Sequence, residues 1–177
     1  KGEKMAQDLK RLIRNVKDYP KPGVVFRDIT TLLKNGKAFK RAVDLLYKKY
    51  KDKKIDLIAA VESRGFILGG ALANRMGVGF IPVRKPGKLP YKTIEEPYQL
   101  EYGSDRLAIH EDAISEGERV LIVDDLLATG GTISATVNLV KKLGGNIISV
   151  AFVIELSGLK GRERLAGIPI VSLLTYD

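Results

Sequence analysis

Apolar runs that do not alternate constrain the fold of this chain most. Ile55 to Val61 and Ile147 to Ile154 are the longest of them, and Arg119 to Val123 and Gly79 to Val83 are shorter ones of the same kind. A strand with one wet face alternates apolar and polar residues, whereas these must be covered on both faces. Helical stretches lie between them, from Glu62-Ser63-Arg64-Gly65 to about Met76 and from Ile133 to Leu143, and Ile168 to Leu174 supplies a last strand. Such alternation predicts an α/β fold, an open and mostly parallel twisted sheet flanked by helices. In open sheets of this kind ligands sit beyond the carboxyl ends of the strands. The turn Glu62 to Gly65 and the turn Asp124 to Thr132 both follow strand ends, so they should face one crevice.

The flanking segments are less regular. Leu9, Leu12, Ile13 and Val16 recur at helical spacing and predict an N-terminal helix to about Val16, ending before Pro20-Lys21-Pro22-Gly23. Val24 to Ile29 reads as a short extended segment, and Phe39, Ala42, Val43, Leu46, Tyr47 and Tyr50 mark a second amphipathic helix. The stretch 85–106 breaks the rhythm with Pro86, Gly87, Pro90, Pro97 and Gly103. An aperiodic segment of that length between core strands is expected to be a flexible lid loop.

At 177 residues the chain is long enough for one domain with a real core, and a single domain over 1–177 is expected. Residues 1–4 precede Met5 and are set aside as a cloning remnant. No apolar run is long enough to cross a bilayer, and no signal-like stretch opens the chain. The absence of cysteine and the single histidine exclude a disulfide framework and histidine-rich or thiolate metal sites. A cytoplasmic protein without membrane contacts is expected. The net charge of +9 implies anionic partners, either nucleic acid or a small polyanion. The basic cluster Lys48 to Lys54 suits a solvated helix end, where cations favour the macrodipole, so nucleic acid is not expected as a partner.

The most informative chemistry follows one apolar strand. Val120 to Val123 leads into Asp124-Asp125-Leu126-Leu127-Ala128-Thr129-Gly130-Gly131-Thr132, and a helix opens behind it. Gly130 and Gly131 let the backbone approach a ligand, and the bare amides of the first helical turn, with the hydroxyls of Thr129 and Thr132, suit a phosphate. No Gly-Lys-Ser/Thr follows, so this is not a Walker loop, and the dinucleotide glycine spacing is absent. Two carboxylates beside a phosphate site would repel the anion unless they served another group. Vicinal sugar hydroxyls and a metal-bound polyphosphate are both suitable. A lone Gly-Gly would be an ordinary tight turn; the whole combination points to a ribose 5-phosphate.

The segment Asp124 to Thr132 resembles the phosphoribosyl pyrophosphate signature of the type I phosphoribosyltransferases. The wider chain resembles the adenine-specific branch of that family. The matching stretches are Pro22 to Ile29, Glu62 to Phe66, Arg84-Lys85 with Gly87 to Pro90, Leu100 to Gly103, and Glu155 to Glu163. The resemblance implies a sheet with a small hood and a lid, and the transfer of a phosphoribosyl group to adenine. It implies that Ala128, Thr129, Gly130, Gly131 and Thr132 bind the 5′-phosphate and that Asp124 and Asp125 take the ribose hydroxyls. It gives pyrophosphate to the turn Glu62-Ser63-Arg64, with Arg84, Lys85 and Lys88 supplying further cations. Adenine is expected beside Val25-Phe26-Arg27, with the Phe26 ring on one face and Leu156 on the other, although spacing alone suits core packing for both. Glu101 is the expected catalytic acid/base, with Glu95 and Glu96 in the same segment as its competitors. Mg²⁺ is expected to arrive on the pyrophosphate, so no metal-ligating residue is named. The family relation implies a homodimer. Two alternatives stand beside this one: the same chemistry on a 6-oxopurine, and a non-catalytic sensor of phosphoribosyl pyrophosphate.

Overall fold

The computed structural model describes residues 8–99 and 104–177. Residues 8–10 are helical, after which β1 (Arg14–Lys17) pairs antiparallel with β2 (Val25–Asp28) in a two-stranded ribbon that forms the hood. The predicted helix to Val16 is therefore cut short. Val16 lies opposite Phe26, and pairing of the ribbon overrides the helical spacing of the apolar residues. Two helices follow, the short α1 (Thr30–Lys34), which the sequence pattern did not announce, and α2 (Gly36–Tyr50). The Asn35 side chain separates them by accepting the amide of Ala38 at 3.1 Å, capping α2.

The chain then alternates as expected: β3 (Leu57–Val61), α3 (Arg64–Met76) and β4 (Gly79–Val83) come first. The segment expected to be an aperiodic loop holds strand pairing in its second half. It forms β5 (Thr93–Gln99) and, across residues 100–103, β6 (Ser104–His110), an antiparallel hairpin in which Thr93 faces His110 and Gln99 faces Ser104. Ile94 and Tyr98 pack inward on the core, which explains the strands that the prolines concealed. After the hairpin come β7 (Arg119–Leu127), α4 (Gly131–Lys142), β8 (Asn146–Leu156), two short 3₁₀ turns (Ser157–Leu159 and Gly161–Leu165) and β9 (Ile170–Tyr176).

Five strands make one parallel sheet in the order β4-β3-β7-β8-β9. β7 is its centre, and its residues divide between two cores. Leu121 and Val123 face α2 and α3 with Leu46, Tyr50, Leu68 and Leu72; Val120 and Ile122 face α4 and the hairpin with Leu107, Ile109, Ile133 and Leu139. Each fully buried Leu, Ile or Val contributes about 1.5–3 kcal/mol of transfer free energy, so covering both faces fixes the strand firmly. One buried polar link crosses the first core. The Tyr50 hydroxyl and Ser149 Oγ are 2.9 Å apart, and Ser149 Oγ donates to the Pro169 carbonyl at 2.8 Å.

Helix α3 lies close on the sheet because Gly69 has no side chain. A Cβ there would sit 2.6 Å from Ala60 Cβ and 3.2 Å from the Phe80 ring, while Gly70 next to it faces open space. Gly69→Val should therefore destabilise the protein by about 2–3 kcal/mol through overpacking, whereas Gly70→Ala should stabilise it by about 0.5–1 kcal/mol through helix propensity. Paired denaturant titrations of the two variants check both signs.

Candidate active site

The central strand ends in the candidate site. Val123 is fully buried, and the strand then presents Asp124 and Asp125 while still paired, with Asp124 opposite Phe152 and Leu126 opposite Ile154 on β8. The acids thus lie inside β7 and not in the loop beyond it, so the sheet itself sets their position. Only 128–130 lie between strand and helix. Gly130 takes a left-handed backbone, φ +82°, immediately before α4. A side chain on Gly130 would lie 2.6 Å from the Gly161 carbonyl, and one on Gly161 would collide with the Ala128 carbonyl. The loop therefore rests backbone against backbone on the second 3₁₀ turn. Arg162 fixes that turn by donating from Nε and Nη2 to the two oxygens of Glu155, at 2.5 and 2.7 Å, and Glu155 is itself buried. The sequence pattern did not mark Gly161, Arg162 and Glu155 as supports for the loop.

A cleft of ≈ 260 Å³ opens over this junction, lined by Val61, Glu62, Ser63, Arg64, Lys85, Tyr98, Leu107 and the run Asp124 to Ile133. The expected phosphoribosyl residues and the turn Glu62-Ser63-Arg64 thus share one cleft. The Glu62–Ser63 peptide is cis. Arg64 Nε donates to Asp125 Oδ2 at 2.5 Å, and its guanidinium stands 5.7 Å from the centre of the Phe26 ring. It links the acidic end of the cleft to the hood. Phe26 also meets Tyr19 edge-on at 5.3 Å.

The expected base-binding residues divide between two places. Phe26 turns toward Arg64, whereas Val25, Arg27 and Leu156 line a second cavity of ≈ 430 Å³ with Gly23, Leu159 and Tyr176. Arg27 is held there by Asn15 Oδ1 at 2.6 Å and by the Tyr176 ring at 4.2 Å. Glu101 lies outside the described residues. Its two competitors are engaged elsewhere: Glu95 with Arg106 at 3.2 Å, and Glu96 with Asn138 Nδ2 at 2.7 Å and Lys142 Nζ at 2.6 Å. The Glu96 contacts dock the hairpin on α4. Tyr98 also reaches the cleft from the hairpin, its hydroxyl donating to Asp105 at 3.3 Å.

Of the expected pyrophosphate cations, Arg64 and Lys85 line the cleft, and Arg84 and Lys88 stand behind Glu62 at its edge; each of the four is paired. Arg84 and Lys88 meet the Glu62 carboxylate at 3.0 and 3.3 Å, and Lys85 meets Asp105 at 2.8 Å. Burial opposes charge on Glu62, but the Lys85 amide, Arg84 and Lys88 outweigh it and hold the carboxyl below its ordinary range. Burial likewise opposes charge on Arg64, and the attraction of Asp125, its hydrogen bond and Asp124 outweigh it, raising the guanidinium further. Asp124 goes the other way. Enclosure by protein, and then the negative neighbour Asp125, push its carboxyl well above the ordinary value, although the Asp125 amide donates to Oδ1 at 2.8 Å. Among the described residues no three His, Asp or Glu side chains converge as a metal-holding group. No helix among them is long and apolar enough to cross a membrane.

The sign for Asp124 sets a prediction. A carboxyl whose folded pKa lies above its unfolded value penalises folding once pH rises past the unfolded value, and the penalty vanishes below it. Asp124→Asn keeps the Oδ1 acceptor and removes the charge. It should raise the melting temperature at pH 8, and the gain should shrink toward zero below pH 3.8, the ordinary carboxyl value. Thermal denaturation across pH checks this.

Residues 28–167 match the model of the phosphoribosyl transferase domain. An adenine phosphoribosyltransferase of Thermotoga sp. (strain RQ2) is 59% identical over 169 residues, covering 96% of this chain and 99% of that protein. The crystal structure of the adenine phosphoribosyltransferase of Thermoanaerobacter pseudethanolicus superposes with a TM-score of 0.94 at 53% identity, over 97% of this chain and 99% of the other. The Saccharomyces cerevisiae adenine phosphoribosyltransferase, solved with an imino-altritol bisphosphate and adenine, gives 0.91 at 40% identity, over 96% of this chain and 98% of the other. With the acids, the glycine-bent loop and the turn Glu62-Ser63-Arg64 gathered in one cleft, the chain belongs to the phosphoribosyltransferases, in the branch formed by the adenine phosphoribosyltransferases.

Proposed function

We propose that the protein transfers the 5-phosphoribosyl group of phosphoribosyl pyrophosphate to adenine, giving AMP and pyrophosphate. The observation that carries this is the junction of β7 and α4, where an acid pair fixed by the sheet meets a glycine-bent loop and the bare amides of a helix start. The 5′-phosphate sits on Ala128 to Thr132, receiving amides and the Thr129 and Thr132 hydroxyls. Asp124 and Asp125 accept the two ribose hydroxyls. Arg64, Arg84, Lys85 and Lys88 surround the pyrophosphate, which carries Mg²⁺ into the site as part of the substrate. Carboxylates already engaged by cations are poor ligands for a resident metal, in keeping with an ion that comes and goes with its phosphates.

Adenine lies under the hood. The backbone of Val25 to Arg27 pairs with the edge of the base, and Phe26 and Leu156 flank it. In the reaction N9 of adenine bonds to C1 of the ribose as the bond from C1 to the pyrophosphate oxygen breaks, its electron pair leaving with the pyrophosphate. The base gives up its proton from N7 to the Glu101 carboxylate. Positive charge gathers at C1 and negative charge on the leaving group, and the arranged cations and amides stabilise the latter. The β5–β6 hairpin covers the cleft and limits the access of water. The same proposal makes the protein a cytoplasmic homodimer. Exposed Ile67 on α3 and Phe80 on the edge strand β4 offer apolar surface for a second copy to bury, and a monomer mass by light scattering would contradict this.

Purified protein given Mg²⁺, phosphoribosyl pyrophosphate and each natural purine should produce AMP and pyrophosphate from adenine; faster turnover of hypoxanthine would reject the base assignment. Glu101→Gln should lower kcat by about 10²–10⁴ if it handles the proton. Steady-state rates within threefold of the parent, a margin of order 1 kcal/mol or less, would remove it from that role.

A further inference from the structure

The carboxylate of Glu62 stands where an acid is least expected, beside the cations proposed for pyrophosphate, and its contacts show how it is held. The side chain is only 11% exposed. Oε1 accepts the Lys85 amide at 2.6 Å, while Oε2 collects Arg84 Nε at 3.1 Å, Arg84 Nη2 at 3.0 Å and Lys88 Nζ at 3.3 Å. Arg84 is fixed from further sides. Its Nη1 donates to the Lys88 carbonyl at 3.2 Å, its guanidinium lies 6.0 Å from the centre of the Phe66 ring, and its backbone bridges to Ala108 at the root of the hairpin.

We propose that Glu62 is a positioning residue for pyrophosphate: it binds no anion through its side chain, and it holds Arg84 and Lys88 side by side so that both present to the same phosphate. Two cations brought to one oxygen repel each other, and only a negative charge between them keeps both there. The pairing leaves the group one net positive charge and leaves N–H donors over on both cations for a ligand. A mere counterion would swing aside when the phosphates arrived. Glu62 is tied at Oε1 to the Lys85 amide and at Oε2 to both cations, and swinging aside would break all four hydrogen bonds at once, so the carboxylate stays in place. This inference rests on the proposed phosphoribosyl transfer and adds to it a residue that acts only through its neighbours.

Glu62→Gln separates the roles, because it keeps the Oε1 acceptor and the shape but loses the charge. Titration calorimetry with magnesium pyrophosphate and with AMP, which lacks the pyrophosphate group, reads each half of the site. The dissociation constant for pyrophosphate should rise about tenfold, with that for AMP within about twofold of the parent. In steady-state kinetics KM for phosphoribosyl pyrophosphate should rise while KM for adenine holds. Lys88→Met should produce the same selective loss, and the double variant should lose less than the sum of the two, since both act on one cluster. Pyrophosphate binding unchanged or tightened in Glu62→Gln overturns the proposal, and tightening would mark the carboxylate as a competitor of the anion. If Glu62→Gln fails to fold, an unchanged pyrophosphate affinity in Lys88→Met overturns it equally. Failure of the parent protein to bind either ligand would instead count against phosphoribosyl transfer itself.

Discussion

Burial of β7 on both faces is the constraint on which the rest of the molecule depends. The strand lies third of five in the sheet, its side chains shared between the two cores. A strand so placed cannot slide, because a shift of one residue would turn each apolar side chain toward the wrong core. Its carboxyl end is therefore held by packing on both faces of the sheet. Two acids, a short loop and a helix start sit there in sequence, so the sheet sets where they lie.

Around that point the charges are nearly self-compensating. Arg64 answers Asp125, Glu62 answers Arg84 and Lys88, and Asp105 answers Lys85. Asp124 is the exception, an acid with an acid for a neighbour, half-buried in the wall of the cleft. Such a group destabilises the folded chain while it is charged, and an incoming diol that donates hydrogen bonds relieves it. In the proposed function that unfavourable charge is held in reserve for the sugar, while the cations are arranged in advance.

Much of this was legible in the residues. The non-alternating runs gave the parallel sheet, and Asp-Asp followed by Ala-Thr-Gly-Gly-Thr marked the strand end over which the cleft opens, because both patterns state a local physical requirement. What escaped was decided by distant contacts. The 8–17 segment reads as a helix by spacing, yet Val16 and its neighbours find strand partners near Phe26. The 93–110 hairpin hid behind Pro97, which sits in a two-stranded pair where a missing donor is tolerated. Glu62 looked like a ligand residue, and only the fold shows its carboxylate turned toward Arg84 and Lys88.

The contact between Gly130 and Gly161 carries an implication for how harm reaches the site. Neither glycine tolerates a methyl group, and the partner turn is clasped by Arg162 and Glu155, some thirty residues away along the chain. An inherited or engineered change in that distant turn would tilt the anion cradle from below. Its symptom would be weak grip on the sugar phosphate, in a molecule whose visible ligand-touching residues were all intact.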